Sequence, residues 1–192
     1  GALSKQARIA LAKASTQAGA ATNTGEGAYL PEERENAVKY IYQYHRGLWP
    51  HGNKKEFYTM ADMIEIQLGQ GAQASAPQTT LAEKINEEFR EGEDMVIASR
   101  LPGLESPEDL KNLVSRLKEE TGGVPISYKF AATHYLEAEI EIALQAGIDV
   151  IVIDGAEAGT HAGQPLLEDD FGLPTMHALV RAADFLVEKG VR

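Results

Sequence analysis

The 192 residues carry 18 Lys plus Arg against 29 Asp plus Glu, a formal net charge of −11, and 43% of them are hydrophobic. This is the composition of a globular chain of about one domain, and it excludes disorder and collagen-like repeats. The acidic balance, with no local basic cluster, argues against a nucleic-acid partner. Zero Cys excludes disulfides, thiolate nucleophiles and cysteine-ligated metal centres within the chain. The longest wholly aliphatic run, Val150 to Ile153, is strand-sized and far short of the ~18 residues of a membrane helix. With no basic-then-apolar leader at Gly1, the cytoplasm is the expected compartment.

Ser4 is placed as the N-cap of a helix running to about Gln17, with Gly19 just past its end. The GAATNT segment is strand-like, and Pro31 opens a short helix, PEERENAV, acidic in its first turn as the helix dipole prefers. Tyr40-Ile41-Tyr42-Gln43-Tyr44 is aromatic and β-branched and reads as a strand, although the pattern equally suits a continued helix. Met63 to Leu68 alternates apolar and polar residues and ends in Gly-Gln-Gly, a strand running into a loop.

Gly71 to Thr80 is small and polar and reads as a loop over a site, followed by a helix from about Leu81 to Arg90. Ser106 with Asp109 forms a capping box, and Leu110, Leu113, Val114 and Leu117 make the i, i+3, i+4, i+7 stripe behind it. Pro125 to Phe130 is a predicted strand, His134 to Gln145 a helix ended by Gly147, and Asp149 to Ile153 a fully buried strand. Pro174 starts a last helix with Met176, Leu179, Val180, Ala183, Leu186 and Val187 apolar.

Strands alternating with helices specify an α/β fold with a parallel sheet and right-handed crossovers. The choice lies between an open doubly wound sheet and a (β/α)8 TIM-type barrel, and a barrel takes about 250 residues and eight strands. Five strands are legible. The expectation is a single domain over 1–192 that is an incomplete barrel, lacking the first and last strands.

In either architecture the site lies beyond the carboxyl ends of the strands. Four strand-end loops are unusual. Asn23-Thr24-Gly25-Glu26-Gly27 gathers an amide, a hydroxyl and a carboxylate on one turn, although its glycines also suit an ordinary turn. Gly69-Gln70-Gly71 permits close backbone approach, with Gln70 turned to a ligand, although the same three residues also make an ordinary loop. Lys129, flanked by apolar residues, belongs at a strand's carboxyl end as an anion clamp or shifted acid, or else on an edge strand where its charge blocks aggregation. Asp154-Gly155 with Gly159, Thr160 and Gly163 is an acidic strand end entering a Gly-rich loop able to cradle an anion. That loop lacks the spacing of a dinucleotide or P-loop motif. His45, His51, His134, His161 and His177 form no metal-ligand spacing, so no metal site is expected; His161 sits in the fourth loop, within reach of a substrate. Trp49 with Pro50 walls a pocket or joins the core.

Gly1-Ala2-Leu3-Ser4, Asn23-Thr24-Gly25-Glu26-Gly27, Leu30-Pro31-Glu32-Glu33-Arg34, Ile64-Glu65-Ile66 with Gly69-Gln70-Gly71-Ala72, Ser127-Tyr128-Lys129, and Ile153-Asp154-Gly155 with Gly159-Thr160 follow one another in a recognisable order. Together they resemble the FMN-binding synthase domain of the glutamate synthase family, over essentially the whole chain. The resemblance implies a (β/α)8 barrel in which ammonia from a glutaminase domain or subunit condenses with 2-oxoglutarate. Reduced FMN then passes a hydride to the imine. It implies electrons arriving from an electron-donor subunit or ferredoxin through an iron–sulfur cluster outside this chain.

Carried over, Asn23 and Thr24 lie under the flavin, Glu26 and Gln70 hold the 2-oxoacid or its imine, and Lys129 sits by the flavin and stabilises negative charge. On this reading Lys129 and Glu26 are the catalytic residues. Gln70, Gln73 and Arg100 bind substrate, and Asp154, Gly155, Gly159 and Thr160 join Asn23, Thr24, Gln70 and Lys129 around the cofactor. The chain departs from the family pattern at Gln73, which replaces a substrate-binding Lys; Arg90 or Arg100 is the expected compensation. The family's cluster cysteines follow the barrel and this chain has none, and its FMN phosphate-binding glycines are expected after Arg192. Ala131 to Glu137 and Val152 to Thr160 look nearer to the N-methylglutamate synthase branch. A different amino donor or acceptor, or a non-catalytic scaffold in an amidotransferase complex, is therefore the alternative reading.

Overall fold

Ser4 accepts a hydrogen bond from the Ala7 backbone N–H at 3.3 Å and so starts α1 (Lys5–Gln17), as a small hydroxyl side chain at an N-cap does. The computed structural model describes residues 3–27, 29–48, 52–71, 76–81, 94–158 and 164–191. After α1 come β1 (Thr22–Asn23), α2 (Pro31–Asn36), β2 (Tyr40–Tyr44), α3 (Lys55–Tyr58) and β3 (Met63–Gln67). Then follow β4 (Gln78–Thr80), β5 (Met95–Ile97), α4 (Pro107–Thr121), β6 (Ile126–Ala131), α5 (Leu136–Ala146), β7 (Val150–Asp154), α6 (Pro165–Asp170) and α7 (Thr175–Glu188).

Five strands form one sheet in the order β1-β2-β3-β6-β7, and each pairing is parallel. The order advances along the chain without reversing. A doubly wound sheet reverses at a switch point and so puts helices on both faces, whereas right-handed crossovers that all step the same way put them on one face. The core follows that rule. Tyr40, Tyr42, Ile64, Ile66, Ile126 and Tyr128 on the outer face pack with Ala12 of α1, Leu117 of α4, Ile140 of α5 and Ala182 of α7 in one buried cluster. The sheet is thus the curled wall of an incomplete (β/α)8-type barrel, with its inner face kept for other residues.

The inner face follows from register. Gln43 pairs with Glu65, Glu65 with Ser127, and Gln67 with Lys129, so these side chains point the same way, opposite to the apolar ones between them. In β3, the residues from Ile64 to Gln67 are all buried, Ile64 and Ile66 under the helices and Glu65 and Gln67 inside the curve.

Local signals placed most boundaries. Ser106 Oγ accepts from the Asp109 N–H at 3.2 Å, and Asp109 Oδ2 accepts from the Glu105 N–H at 3.1 Å and from the Ser106 hydroxyl at 2.7 Å. Those bonds from Ser106 and Glu105 hold the Asp109 carboxyl below the usual range. Gly147, at φ 78°, ends α5 in the left-handed conformation that a Cβ would oppose.

The sequence expectations fail in three places. Gln78–Thr80, expected as loop, is β4 and pairs antiparallel with Met95–Ile97; three polar residues do not announce a strand whose partner lies so far along the chain. The short helices α3 and α6 carry too few turns to show a period. The last strand is not fully buried: Val150 is 42% exposed, because β7 bonds only to β6 among the described strands. On α7 the buried face is Ala178 and Ala182, while Met176, Leu179, Val180 and Val187 are exposed. The helix expected from Leu81 to Arg90 falls almost wholly outside the described residues. Among the described residues no helix is long and apolar enough to cross a membrane.

Candidate functional site

A belt of polar side chains lines the inner face toward the carboxyl ends of the strands. Glu65, 6% exposed, receives two amides on one oxygen: Asn23 Nδ2 at 2.9 Å and Gln43 Nε2 at 2.8 Å, both donating to Oε1. Asn23 Oδ1 in turn accepts from the Gly25 N–H at 2.9 Å, folding the loop after β1 into an Asx turn. Thr24 is buried and its hydroxyl accepts from the Gln43 N–H at 2.9 Å while donating to the Gly25 carbonyl at 3.0 Å. Its role here is to pin that loop to β2.

Glu26, at the tip of the same loop, accepts from Gln67 Nε2 at 2.6 Å through Oε1. Next along the belt, Lys129 Nζ lies 3.0 Å from Asp154 Oδ2, the two side chains 21% and 17% exposed. β6 lies between β3 and β7, so Lys129 is not on an edge strand and its charge does not serve to block aggregation there. The belt therefore alternates in charge and polarity from β1 to β7.

Arg46, two residues after β2, is wholly buried. Its Nη1 donates to the Ser99 carbonyl at 3.3 Å, while Nε and Nη2 have no hydrogen-bond partner among the described residues. Burial pulls the guanidinium below its ordinary range, and the Glu26 carboxylate nearby opposes that pull. Two backbone bonds, Ala98 N–H to the Arg46 carbonyl at 3.1 Å and Leu48 N–H to the Val96 carbonyl at 2.8 Å, run the segment around β5 along residues 46–48 and seal the side chain in. Beside it His45 is buried, and its Nδ1 accepts from the Gly47 N–H at 3.0 Å. Burial pushes this imidazole down to about 3, so the ring is neutral and carries its proton on Nε2.

Two glycines join the loops after β3 and β7. A Cβ on Gly71 would stand 1.7 Å from the Gly155 carbonyl oxygen, and one on Gly155 would stand 2.0 Å from Thr175 Oγ1. The close approach expected at Gly69-Gln70-Gly71 is thus made between two backbones. Gln70 itself is half-buried beside it.

Of the residues singled out from sequence, Asn23, Thr24, Glu26, Lys129, Asp154 and Gly155 lie at the carboxyl ends of the strands, and Gln70 follows β3. Arg100 is exposed in the segment after β5. Gln73, Gly159, Thr160, His161, Arg90, Trp49 and Pro50 fall outside the described residues. The sequence by itself assigns no role to Gln43, Glu65, Gln67 and Arg46. The signal for three of them was the alternation itself: a parallel strand with helices over one face has no reason to carry Gln43, Glu65 and Gln67 on the other unless that face meets polar company. For Arg46 there was no such signal.

A family model described as "Conserved region in glutamate synthase" matches residues 1–192. The chain is 34% identical to an archaeal glutamate synthase [NADPH] of Archaeoglobus fulgidus, over all of this chain and 39% of that one. It is 32% identical to a glutamate synthase large subunit-like protein of Rhizobium meliloti, over all of this chain and 44% of that one. With the glutamate synthase [NADPH] large chain of Bacillus subtilis the identity is 29%, over all of this chain and 13% of that one. The chain thus spans about two-fifths of the length of the first two relatives. Among solved structures an HpcH/HpaI aldolase from Desulfitobacterium hafniense aligns at 12% identity over 95% of this chain and 71% of that one, with a TM-score of 0.42. The fold rests on the strand order and not on that alignment. With a family model matched from end to end and relatives above 30% identity across the whole chain, this chain belongs to the glutamate synthase family.

Proposed function

We propose that this chain forms the part of an FMN-dependent, glutamate synthase-like barrel that holds the flavin ring and the 2-oxo acid, for reductive amination of 2-oxoglutarate with glutamine-derived ammonia. The observation that carries this reading is the belt from Asn23 to Asp154, placed where barrel enzymes keep their chemistry.

The residues fit a flavin ring. Its pyrimidine edge offers an N–H between carbonyl oxygens, and Gln43 Oε1 and Gln67 Oε1 are buried acceptors without a partner among the described residues. Lys129 supplies a cation for negative charge on the ring, and Asn23 at the end of β1 and Gln70 beyond the end of β3 supply amides on either side of β2. Bound there, FMN would supply the hydride; the redox chemistry is the cofactor's.

The chain's own residues position the acceptor. Glu26, anchored by Gln67, presents a carboxylate that favours the protonated imine, the form that accepts a hydride most readily. Lys129 balances the substrate's 1-carboxylate and is itself held in place by Asp154. The Gly71–Gly155 contact fixes the spacing between the loops after β3 and β7. A glutaminase domain or subunit supplying ammonia, and an electron donor with its own iron–sulfur centre, complete the proposed assembly.

The test uses the complete gene product purified with flavin, reduced without oxygen and mixed with 2-oxoglutarate and ammonium. Glutamate should form as the flavin spectrum returns to its oxidised form. A protein that takes up no flavin, or one whose reduced flavin is untouched by 2-oxoglutarate with ammonium or methylamine, would leave the scaffold reading instead.

A further inference from the structure

We infer that Glu65 is a positioning residue of this site: its buried carboxylate decides which way the amides of Asn23 and Gln43 face, and through Asn23 it holds the loop that carries Glu26. The inference rests on the proposed flavin and 2-oxo acid site and adds the group that orders it.

A carboxylate accepts hydrogen bonds and donates none, so it takes only the nitrogen end of an amide. Asn23 Nδ2 at 2.9 Å and Gln43 Nε2 at 2.8 Å both meet Glu65 Oε1. The Gly25 N–H can only donate, and it takes the Asn23 oxygen at 2.9 Å. Asn23 is thus fixed from both ends, while Gln43 turns its oxygen away, buried and without a partner among the described residues. Glu26 repeats the device on Gln67, accepting from Nε2 at 2.6 Å and leaving Oε1 turned away. These two oxygens are the acceptors that the proposed flavin edge needs.

The contact also spans a strand. β1 and β3 flank β2, and in a flat sheet strands two places apart lie about 9–10 Å from each other. Glu65 reaches Asn23 because the wall is curled, and Gln67 reaches Glu26 in the loop beyond β1. Two side chains on one face of β3 therefore tie that loop at two points. The loop is open to solvent: Asn23 is exposed and Glu26 half-buried, whereas Glu65 is 6% exposed. What Glu65 orders can meet a ligand directly.

Stability alone does not call for a charge at this position. Among the described residues no ion pair reaches Glu65, the Lys129 ammonium being engaged by Asp154. The Ser127 hydroxyl, beside Glu65 in register, donates to the Ile64 carbonyl at 3.4 Å. A buried charge held by amides alone is costly, and a glutamine of the same shape would avoid that cost. It would also offer both an oxygen and an NH2, so neither neighbouring amide would have one required orientation. The charge supplies direction.

The experiment uses the complete gene product. Glu65→Gln keeps the shape and removes the direction. Deuterium exchange at residues 23–27 should quicken by about tenfold, the size of one hydrogen bond, while exchange in β6 and β7 stays within about twofold of wild type. The affinity of the flavin-free protein for FMN should fall by about tenfold for the same reason. Adding Gln43→Glu to Glu65→Gln moves the carboxylate across the register pair. The new carboxylate then accepts the new amide's nitrogen and leaves its oxygen for Asn23 Nδ2. This double variant should bring both readouts back to within about twofold of wild type, a rescue that a residue merely filling space on β3 would not show.

Unchanged exchange at residues 23–27, unchanged FMN affinity, equal quickening in β6 and β7, or a double variant as impaired as the single one would each overturn the inference. Neutron diffraction from deuterated wild-type crystals decides it without any variant. Deuterons of Asn23 and Gln43 directed at an unprotonated Glu65 support it, and either amide reversed, or a deuteron on Glu65, overturns it. Wild type that binds no FMN would instead end the proposed function, while the exchange and neutron results would still decide for or against Glu65.

Discussion

Lys129 on β6 reaches Asp154 on β7 diagonally: Lys129 pairs in register with Val152 and Ala131 with Asp154, yet Nζ and Oδ2 are 3.0 Å apart. The lysine therefore leans along its strand toward the carboxyl end, where a negatively charged ligand would meet it. Replacing Lys129 by Met keeps the aliphatic stem and removes the charge. Turnover of the complete protein should fall by about two to three orders of magnitude, as for loss of one charge-stabilising group, while the melting temperature moves only a few degrees. Steady-state kinetics and a thermal melt on the same preparation check both halves. Retention of more than about half the wild-type activity would show that the charge has no part in the chemistry.

The Gly71–Gly155 contact leaves no room for a methyl group. Gly71→Ala puts its Cβ 1.7 Å from a backbone oxygen that belongs to another strand end, so the two loops must separate. Overpacking of this kind costs about 1–3 kcal/mol, and here it also shifts the loops flanking the belt. Urea unfolding should show the lower stability. A variant as stable and as active as wild type would mean that the loops yield freely.

His45 makes stability depend on acid. Its folded pKa, pushed down to about 3 by burial, lies below the ordinary histidine value of 6.5, so between those limits the unfolded chain binds a proton that the folded chain refuses. Its contribution is complete above the upper value and is lost as pH falls toward the lower, at about 1.4 kcal/mol per pH unit well inside that window. His45→Asn keeps an acceptor for the Gly47 N–H and removes the titration. Urea midpoints for the two proteins at pH 7.5 and 5 should diverge at the lower pH, with the wild type losing more stability. Parallel losses would assign the acid sensitivity to other groups.

Arg8 and Glu33 tie α1 to α2 under cover, 5% and 2% exposed, with the Tyr40 hydroxyl donating to Glu33 Oε2 at 3.3 Å. Breaking such a pair by Arg8→Met strands a buried carboxylate and should cost about 3–5 kcal/mol. The double variant Arg8→Met with Glu33→Leu removes both charges and should regain most of that loss. Chemical denaturation of the single and double variants decides it. A double variant no more stable than the single would show that the pair's value lies in Arg8 packing and not in its charge.

Local chemistry along the chain determined the elements. Ser4 and Ser106 start helices, Gly147 stops one, and period-2 alternation from Met63 marks a strand, because each of these is settled by neighbours within a few residues. The same reading placed Asn23, Glu26, Lys129 and Asp154 at strand ends, since a parallel sheet leaves no other place for them. What it left open was which face they share and with whom. Whether the sheet curls or doubles back is decided by the direction of successive crossovers, and only the strand order reveals it. Gln43, Glu65 and Gln67 became site residues once the inner face of that curve was known. β4 needed a partner on β5, fifteen residues or more along the chain. Arg46 carries no sequence signal because its isolation comes from Ser99 and the segment around β5 folding over it, a contact between residues 53 apart. Burial and pairing at that distance belong to the tertiary structure, because they join segments far apart in the chain.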